Sequence, residues 1–346
     1  MSKRYNVAVA GATGAVGAEF LQLLTERSDF PLGELTLLAS ARSAGKTMSF
    51  AGKDIPVKEL TADSFAGVDI AFFSAGGGRS KEFASAAVKA GAVVIDNSSA
   101  FRMDPTVPLI VPEVNGEDAL DHTGIIANPN CSTIILLMAL APLHRLSPVR
   151  RVVVSTYQAA SGAGASAMRE LEDQSRAYLS EQPIAKEIFP HQIAFNLFSH
   201  NTAIDDTGYN EEELKMVKET RKILHLPELA VTATCIRVPI LRAHSESANI
   251  EFATERPTVE AAREALAAFP GVRVIDDREG NTFPMPLDAS GKDEVLVGRI
   301  REDLSHPRAL EIFVSGDQIR KGAALNGFQI AEYLIARDAV KGKMVV

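Results

Sequence analysis

The stretch "YNVAVAGATGAVGAEFLQLLTER", residues 5–27, limits the possible folds more than any other part of the chain. It reads as a buried strand, a glycine turn and an amphipathic helix that begins near Ala15. Gly11, Gly14 and Gly17 let the backbone turn sharply and approach a pyrophosphate. The helix start then aims free amides and the positive end of its dipole at that group. The spacing is GxxGxxG rather than the commoner GxGxxG, and a glycine turn is also simple loop chemistry. The strand before it and the helix after it favour the nucleotide.

The same alternation continues. The strand "ELTLLAS" runs into "SARSAGK", where Ser40, Arg42, Ser43 and Lys46 stand and no carboxylate does. An acidic residue there would hold the ribose hydroxyls of NAD, whereas this loop suits a 2'-phosphate, so the expected cofactor is NADP. A solvated basic loop is the plain alternative. "VDIAFFSAGGGRSKEFASAAVKAGAVVIDNSSAFR" then gives a strand to Ser74, a glycine turn, a helix from about Arg79 and the strand "AVVIDN". Alternating strands and helices predict a Rossmann-like, doubly wound parallel sheet, with ligands at its carboxyl edge. Arg102 lies at that edge, within reach of an anion, although a lone arginine after a strand is as often a surface residue.

The 346 residues favour two domains. From Val149 the pattern changes to longer strands, "VRRVVVSTYQ", "SANIEFAT", "EVLVGRIRED" and "ALEIFVSG", with two helical stretches between them. That predicts a mixed sheet covered by helices. The final stretch, "KGAALNGFQIAEYLIARDA", is an amphipathic helix with Ala324, Phe328, Ala331, Leu334 and Ile335 along one side. A net charge of -8 argues against a nucleic-acid surface. No span suits a membrane or a signal peptide, and two cysteines make neither a disulfide framework nor a metal cluster, so the expected home is the cytoplasm.

One of those cysteines stands in "NPNCST", directly before the apolar run "IILLMALAPL", which is expected to be a buried helix stopping at Pro142. Cys131 is therefore at the start of a helix, where unpaired amides and the dipole favour a thiolate. Asn130 offers an amide beside it, and Ser132 or Thr133 could cap the helix. Cys235, inside "AVTATCIRVPI", fits a small buried hydrophobe instead. A thiolate beside a nicotinamide points to attack on an acyl or aldehyde carbonyl followed by hydride transfer. Among seven histidines, His244, at the exit of the strand "CIRVPILRAHS", is the candidate acid/base group.

Together "GATGAVG", "SARSAGK", "NPNCST", "TYQAASGAG", "EEELKMVKET", "CIRVPILRAHS" and "GDQIRKGAALN" resemble the bacterial aspartate-semialdehyde dehydrogenases over nearly the whole chain. The resemblance implies NADPH-dependent reductive dephosphorylation of 4-phospho-L-aspartate to L-aspartate 4-semialdehyde, on the route to lysine (through diaminopimelate), methionine and threonine. It implies an NADP-binding domain from 1–128 and 322–346. A catalytic and dimerisation domain, α+β and similar to that of glyceraldehyde-3-phosphate dehydrogenase, would span 129–321. Cys131 matches the acylated nucleophile, His244 the acid/base group, Gln158 the residue that orients the substrate, and Asn130 an oxyanion contact. Arg237 matches the holder of the alpha-carboxylate, Glu212 the partner of the alpha-amine, and Arg102 with Lys215 the phosphate pair, Lys218 being an alternative cation. Gly11, Thr13, Gly14, Ala15, Val16, Arg42, Ser43, Ser161, Gly162 and Gln318 match cofactor contacts, with Asn326 competing for the place of Gln318. No metal is implied, and the assembly would be a homodimer or a tetramer. The alternatives are a reductase of another acyl phosphate, such as N-acetyl-glutamyl phosphate, and a nonenzymatic NADP sensor.

Overall fold

The computed structural model describes residues 3–340 and divides the chain into two compact units, meeting in sequence at Asn130/Cys131 and Gly322/Ala323. The first unit opens with β1 (Tyr5–Ala10), α1 (Ala15–Glu26), β2 (Leu32–Ala39), β3 (Thr47–Phe50), β4 (Lys53–Glu59) and β5 (Ile70–Phe73). It continues through α2 (Gly77–Lys89), β6 (Val93–Asp96), α3 (Pro112–Asn115) and β7 (Ile125–Ala127). The sheet order is β3-β4-β2-β1-β5-β6-β7, and every pairing is parallel except β3 with β4. The chain thus leaves β1 in one direction for β2 and returns on its other side with β5. Such a reversal opens a crevice at the strands' carboxyl ends, and both glycine loops lie there.

The second unit contains α4 (Cys131–Leu146), β8 (Val149–Gln158), α5 (Ala165–Leu179), β9 (Phe198–Ser199), α6 (Glu211–Ile223), β10 (Ala230–Arg237) and β11 (His244–Phe252). It ends with α7 (Val259–Ala267), β12 (Val272–Val274), α8 (Pro286–Ala289), β13 (Val295–Glu302) and β14 (Ala309–Gly316). Its mixed sheet runs β12-β13-β14-β11-β8-β10-β9. Three helices of more than two turns, α5, α6 and α7, interrupt the strands where the sequence pattern predicts two. The third, α7, is only nine residues long and is started by Thr258, whose hydroxyl accepts from the Ala261 amide. His244 does not end a strand as expected. β10 stops at Arg237, and His244 opens β11 after a six-residue connection, 238–243.

Helix α4 also differs from expectation, because it passes through Pro142 and ends at Leu146. Proline inside a helix costs about 3 kcal/mol. Leu140 and Leu143, on either side, are fully buried, and each such side chain contributes roughly 1.5–3 kcal/mol. Burial outweighs the broken ladder. Because α4 already includes Cys131, Ser132 and Thr133 are buried inside its first turn and do not occupy the cap position.

The last helix, α9 (Leu325–Ala336), follows a single wide π-turn over Arg320–Ala324 and belongs to the first unit. Its Phe328 ring stands 4.7 Å from that of Phe30 and 6.4 Å from that of Phe72, which stacks on Phe20 at 4.3 Å. These rings sit in the apolar layer on one face of the parallel sheet. No helix among the described residues is long and apolar enough to cross a membrane.

Candidate active site

In the first unit the glycine loop is shaped by backbone crowding. Gly11 has φ +89°, a left-handed conformation that suits glycine, and a Cβ there would collide with the Ser74 carbonyl. Gly17 presses helix α1 onto the turn, since its Cβ would overlap the Gly11 oxygen and the Ala12 backbone. Gly14 and the glycines that start α2 are less confined: a Cβ on Gly14 would meet only the Gly11 oxygen, at 3.3 Å, and one on Gly78 nothing within 4 Å. The amides of Gly11 and Ala12 both donate to the Leu38 carbonyl at 2.8 and 3.1 Å, tying the loop to the end of β2. Beyond that strand Arg42 is exposed and Ser43 half-buried. One carboxylate escaped the sequence reading: Glu59 ends β4 in register with Ala39 at the end of β2.

Arg102 is buried in the same unit. Its Nε donates to the Asn128 carbonyl at 2.9 Å and its Nη2 to the Asn97 carbonyl at 3.0 Å. Asn128 itself is held by Asn97, the Ala323 carbonyl and Asn326. Asn326 is therefore part of the brace beneath the segment that leads to Cys131.

The second unit brings the remaining candidates together at one end of its sheet. Strand register places Gln158, Arg237 and His244 in one row, because β8 pairs Gln158 with Arg237 and β11 pairs Ser245 with Tyr157. Cys131 opens helix α4. Gly322 lies against it, for a Cβ at Gly322 would be 2.9 Å from that of Cys131. Its place beside Cys131 has no signal in the motif that contains it, because the chain that carries it approaches from far along the sequence. Gly162 covers the row from above: its Cβ would stand 3.2 Å from Arg237 Nη1 and 3.3 Å from His244 Nε2. Gln318 accepts from the Ala243 amide at 2.9 Å and donates to Ser161 Oγ, so it braces the loop over the histidine.

His244 is fully buried, and its Nδ1 accepts from the Ala159 amide at 3.0 Å. The neutral ring must then carry its proton on Nε2, an atom with no hydrogen-bond partner among the described residues. Burial first, then the nearby Arg237 charge, pushes its pKa down to about 3, with Glu212 opposing. The expected acid/base group thus stands as a neutral Nε2–H donor.

The charge run on α6 is sorted by its surroundings. Glu213 closes a capping box with Asn210 and accepts from the Cys235 amide at 3.0 Å. Glu211 is exposed. Glu212 turns inward, accepting from Gln158 Nε2 at 3.1 Å and from Lys215 at 3.4 Å. Lys215 also pairs with Glu211 at 3.1 Å, whereas Lys218 is exposed. Arg237, 2% exposed, donates from Nη1 to the Ala159 carbonyl at 2.7 Å and from Nη2 to His200 Nε2 at 2.8 Å, and lies 5.5 Å over the Phe189 ring. Glu170 on α5 places Phe189 by accepting from the amides of Glu187, Ile188 and Phe189. His200 had no signal in the sequence. Cys235 is buried as expected, and burial pushes its thiol pKa up.

One row behind the site, β11 carries Glu246 between Thr156 and Val314. It is fully buried, and neither of its oxygens has a hydrogen-bond partner among the described residues. Burial raises its pKa well above the usual carboxylate value. The unfolded chain releases this proton near pH 4.5 while the folded one retains it. Stability from this group is therefore full at lower pH and is lost as pH rises through the folded pKa. Glu246→Gln, which keeps the shape and cannot ionise, should lose less melting temperature than the parent protein between pH 5 and pH 9 in paired thermal melts. Parallel losses would mean that Glu246 is not held protonated. Among the described residues no group of three or more His, Cys, Asp or Glu is placed to hold a metal ion.

Residues 6–122 match the family described as semialdehyde dehydrogenase, NAD binding domain, and residues 140–321 match semialdehyde dehydrogenase, dimerisation domain. An aspartate-semialdehyde dehydrogenase of Synechocystis sp. is 57% identical over 337 residues, covering 97% of this chain and 99% of that protein. The solved structure of aspartate semialdehyde dehydrogenase II complexed with ASA from Vibrio cholerae superposes with a TM-score of 0.93 at 44% identity, covering 97% of this chain and 99% of the other. The enzyme of the same name from Candida albicans, solved with NADP, gives 0.77 at 26% identity, covering 97% of this chain and all of that one.

Proposed function

The chain belongs to the aspartate-semialdehyde dehydrogenase family and reductively dephosphorylates aspartyl phosphate to the semialdehyde; we propose that it does so with NADPH, through a thioacyl enzyme on Cys131. The observation that carries this reading is the row Gln158, Arg237 and His244, beside Glu212 and in the same unit as a cysteine that opens a helix. Arg237 and Glu212 hold the carboxylate and amine of the substrate, while Arg102 and Lys215 hold its phosphate. The Cys131 thiolate attacks the acyl carbon, and the carbon–oxygen bond to phosphate breaks. His244 keeps its proton on Nε2 and donates a hydrogen bond to the negative charge at the reacting carbonyl, helped by Asn130 and the amides at the start of α4. Gln158, already bonded to Thr156 and Glu212, keeps the acyl group in line. Collapse of the reduced thiohemiacetal expels the thiolate and frees the aldehyde.

The nucleotide fits the first unit: Gly11, Thr13, Gly14, Ala15 and Val16 would hold the pyrophosphate at the start of α1, and Arg42 with Ser43 a 2'-phosphate. Ser161, Gly162 and Gln318 would meet the nicotinamide end. When bound, NADPH supplies the hydride that reduces the acyl carbon. The enzyme would work in the cytoplasm, in the synthesis of lysine, methionine and threonine. It would do so as a homodimer, through the unit that matches the dimerisation domain.

The test is phosphate-dependent reduction of NADP by L-aspartate 4-semialdehyde, run beside NAD and beside N-acetyl-glutamate semialdehyde. Activity with the aspartyl substrate and NADP, lost without phosphate, is the expected result. Activity with NAD alone would overturn the cofactor and point to Glu59 as a ribose contact, and activity with only the acetylated substrate would overturn the substrate.

A further inference from the structure

We propose that His200 and Thr202 form a positioning bridge that fixes the spacing between the two groups recognising the amino-acid end of the substrate, and so set its selectivity for that head group. The inference rests on the reading above, in which Arg237 takes the alpha-carboxylate and Glu212 the alpha-amine. His200 follows β9, whose pairing with β10 sets Phe198 opposite Arg237, and the His200 amide donates to the Cys235 carbonyl at 2.8 Å. The segment is thus fastened beside the arginine through the sheet ladder.

The bridge has one self-consistent hydrogen arrangement. Arginine is always a donor, so the 2.8 Å contact from Arg237 Nη2 makes His200 Nε2 the acceptor. The neutral ring then carries its proton on Nδ1 and donates to Thr202 Oγ1 at 3.2 Å. The same Thr202 oxygen accepts from the Glu212 amide at 3.2 Å. An unbroken path of three hydrogen bonds therefore joins the guanidinium to the first turn of α6, whose Glu212 side chain returns to the row through Gln158. A cationic His200 would face Arg237 and Lys215, with only Glu211 and Glu212 to compensate. Burial and the Arg237 charge hold its pKa down to about 4 despite Glu212, so the bridge is intact at neutral pH.

His200 touches no reacting atom in this arrangement. Its effect is on geometry: without it Arg237 keeps Ala159 and Phe189 on one side and is free to swing on the other. A swinging cation still attracts a carboxylate but no longer holds a set position relative to the acid that takes the amine. Mirror-image substrates share the same carboxylate-to-amine distance and differ in the direction their acyl arm leaves it, so telling them apart needs both anchors fixed relative to the nucleophile, Cys131.

The experiment measures phosphate-dependent oxidation of L- and D-aspartate 4-semialdehyde by the parent enzyme and by His200→Ala, His200→Gln, Thr202→Val and Arg237→Lys. His200→Ala should raise KM for the L-substrate about tenfold or more, the scale of losing a hydrogen bond to a charged group. It should lower the L/D ratio of kcat/KM, with kcat and the KM for NADP changed less than about threefold. Glutamine, whose amide both accepts and donates, should restore the ratio, and Thr202→Val should lower it with a smaller KM effect. If His200→Ala does not fold, Thr202→Val alone decides. An unchanged KM and L/D ratio in these variants, while Arg237→Lys loses both, overturns the bridge and leaves the head-group reading standing. An Arg237→Lys enzyme with the parent's KM and ratio overturns that reading and the bridge with it.

Discussion

Replacing Cys131 by alanine is expected to lower turnover by on the order of ten-thousandfold or more, with NADPH affinity and melting temperature close to those of the parent. Alanine retains the Cβ that lies against Gly322, so only the sulfur is removed. The acyl group then has no nucleophile to receive it, and the bound oxyanion donors have no covalent intermediate to stabilise. Serine should not rescue turnover, because a hydroxyl is a far weaker acid than a thiol and a poorer nucleophile at neutral pH. Rapid-mixing assays with excess substrate should also lose any burst of phosphate release. A variant that retains more than about a hundredth of parental turnover would sink the assignment of Cys131 as nucleophile.

Arg237→Ala should lower kcat/KM for L-aspartate 4-semialdehyde by about a thousandfold, mostly through KM, since truncating one member of a buried charge pair costs about 2–5 kcal/mol. The side chain is buried against Ala159, His200 and Phe189, and Glu212 is the nearby opposite charge. The same substitution has a second signature. Arg237 lowers the pKa of both His200 and His244 from their ordinary value of 6.5, so its removal should raise both. In the parent, stability from these histidines is full above pH 6.5 and is lost as pH falls toward their folded values near 4 and 3. In the variant the folded values lie nearer 6.5, so the two histidines make a smaller contribution and the acid-side loss is shallower. Histidine proton titration by NMR reads the shift directly. Unmoved histidines together with an unmoved KM would place the guanidinium outside the site.

Much of the first unit was legible because its signals are local. Gly11, Gly14 and Gly17 answer to a turn made by their own neighbours, and the alternation of strand and helix is enough to imply a parallel sheet. The basic loop after β2 was legible because it follows its strand directly. Glu59 was missed at the same edge because it arrives on the adjacent strand, β4. Cys131 was likewise legible, for a thiol at the start of an apolar helix is described by a dozen consecutive residues. The helix's far end was misread at Pro142, where the burial of Leu140 and Leu143 outweighs a local rule.

By itself, then, the sequence determined the fold class, the glycine turn between β1 and α1 and the place of Cys131 at the start of a buried helix, since each depends on contacts within a few residues. Which of three consecutive glutamates faces the row was beyond it, because residues 211, 212 and 213 point in different directions and only the elements around α6 distinguish them. The same holds for the tautomer of His244, set by the Ala159 amide, for the space that Gly322 leaves beside Cys131, and for the link from Arg237 through His200 to Thr202. Hydrogen bonds and close approaches between distant segments have no period or spacing in the chain. They exist only once the strands of the second sheet have taken their register.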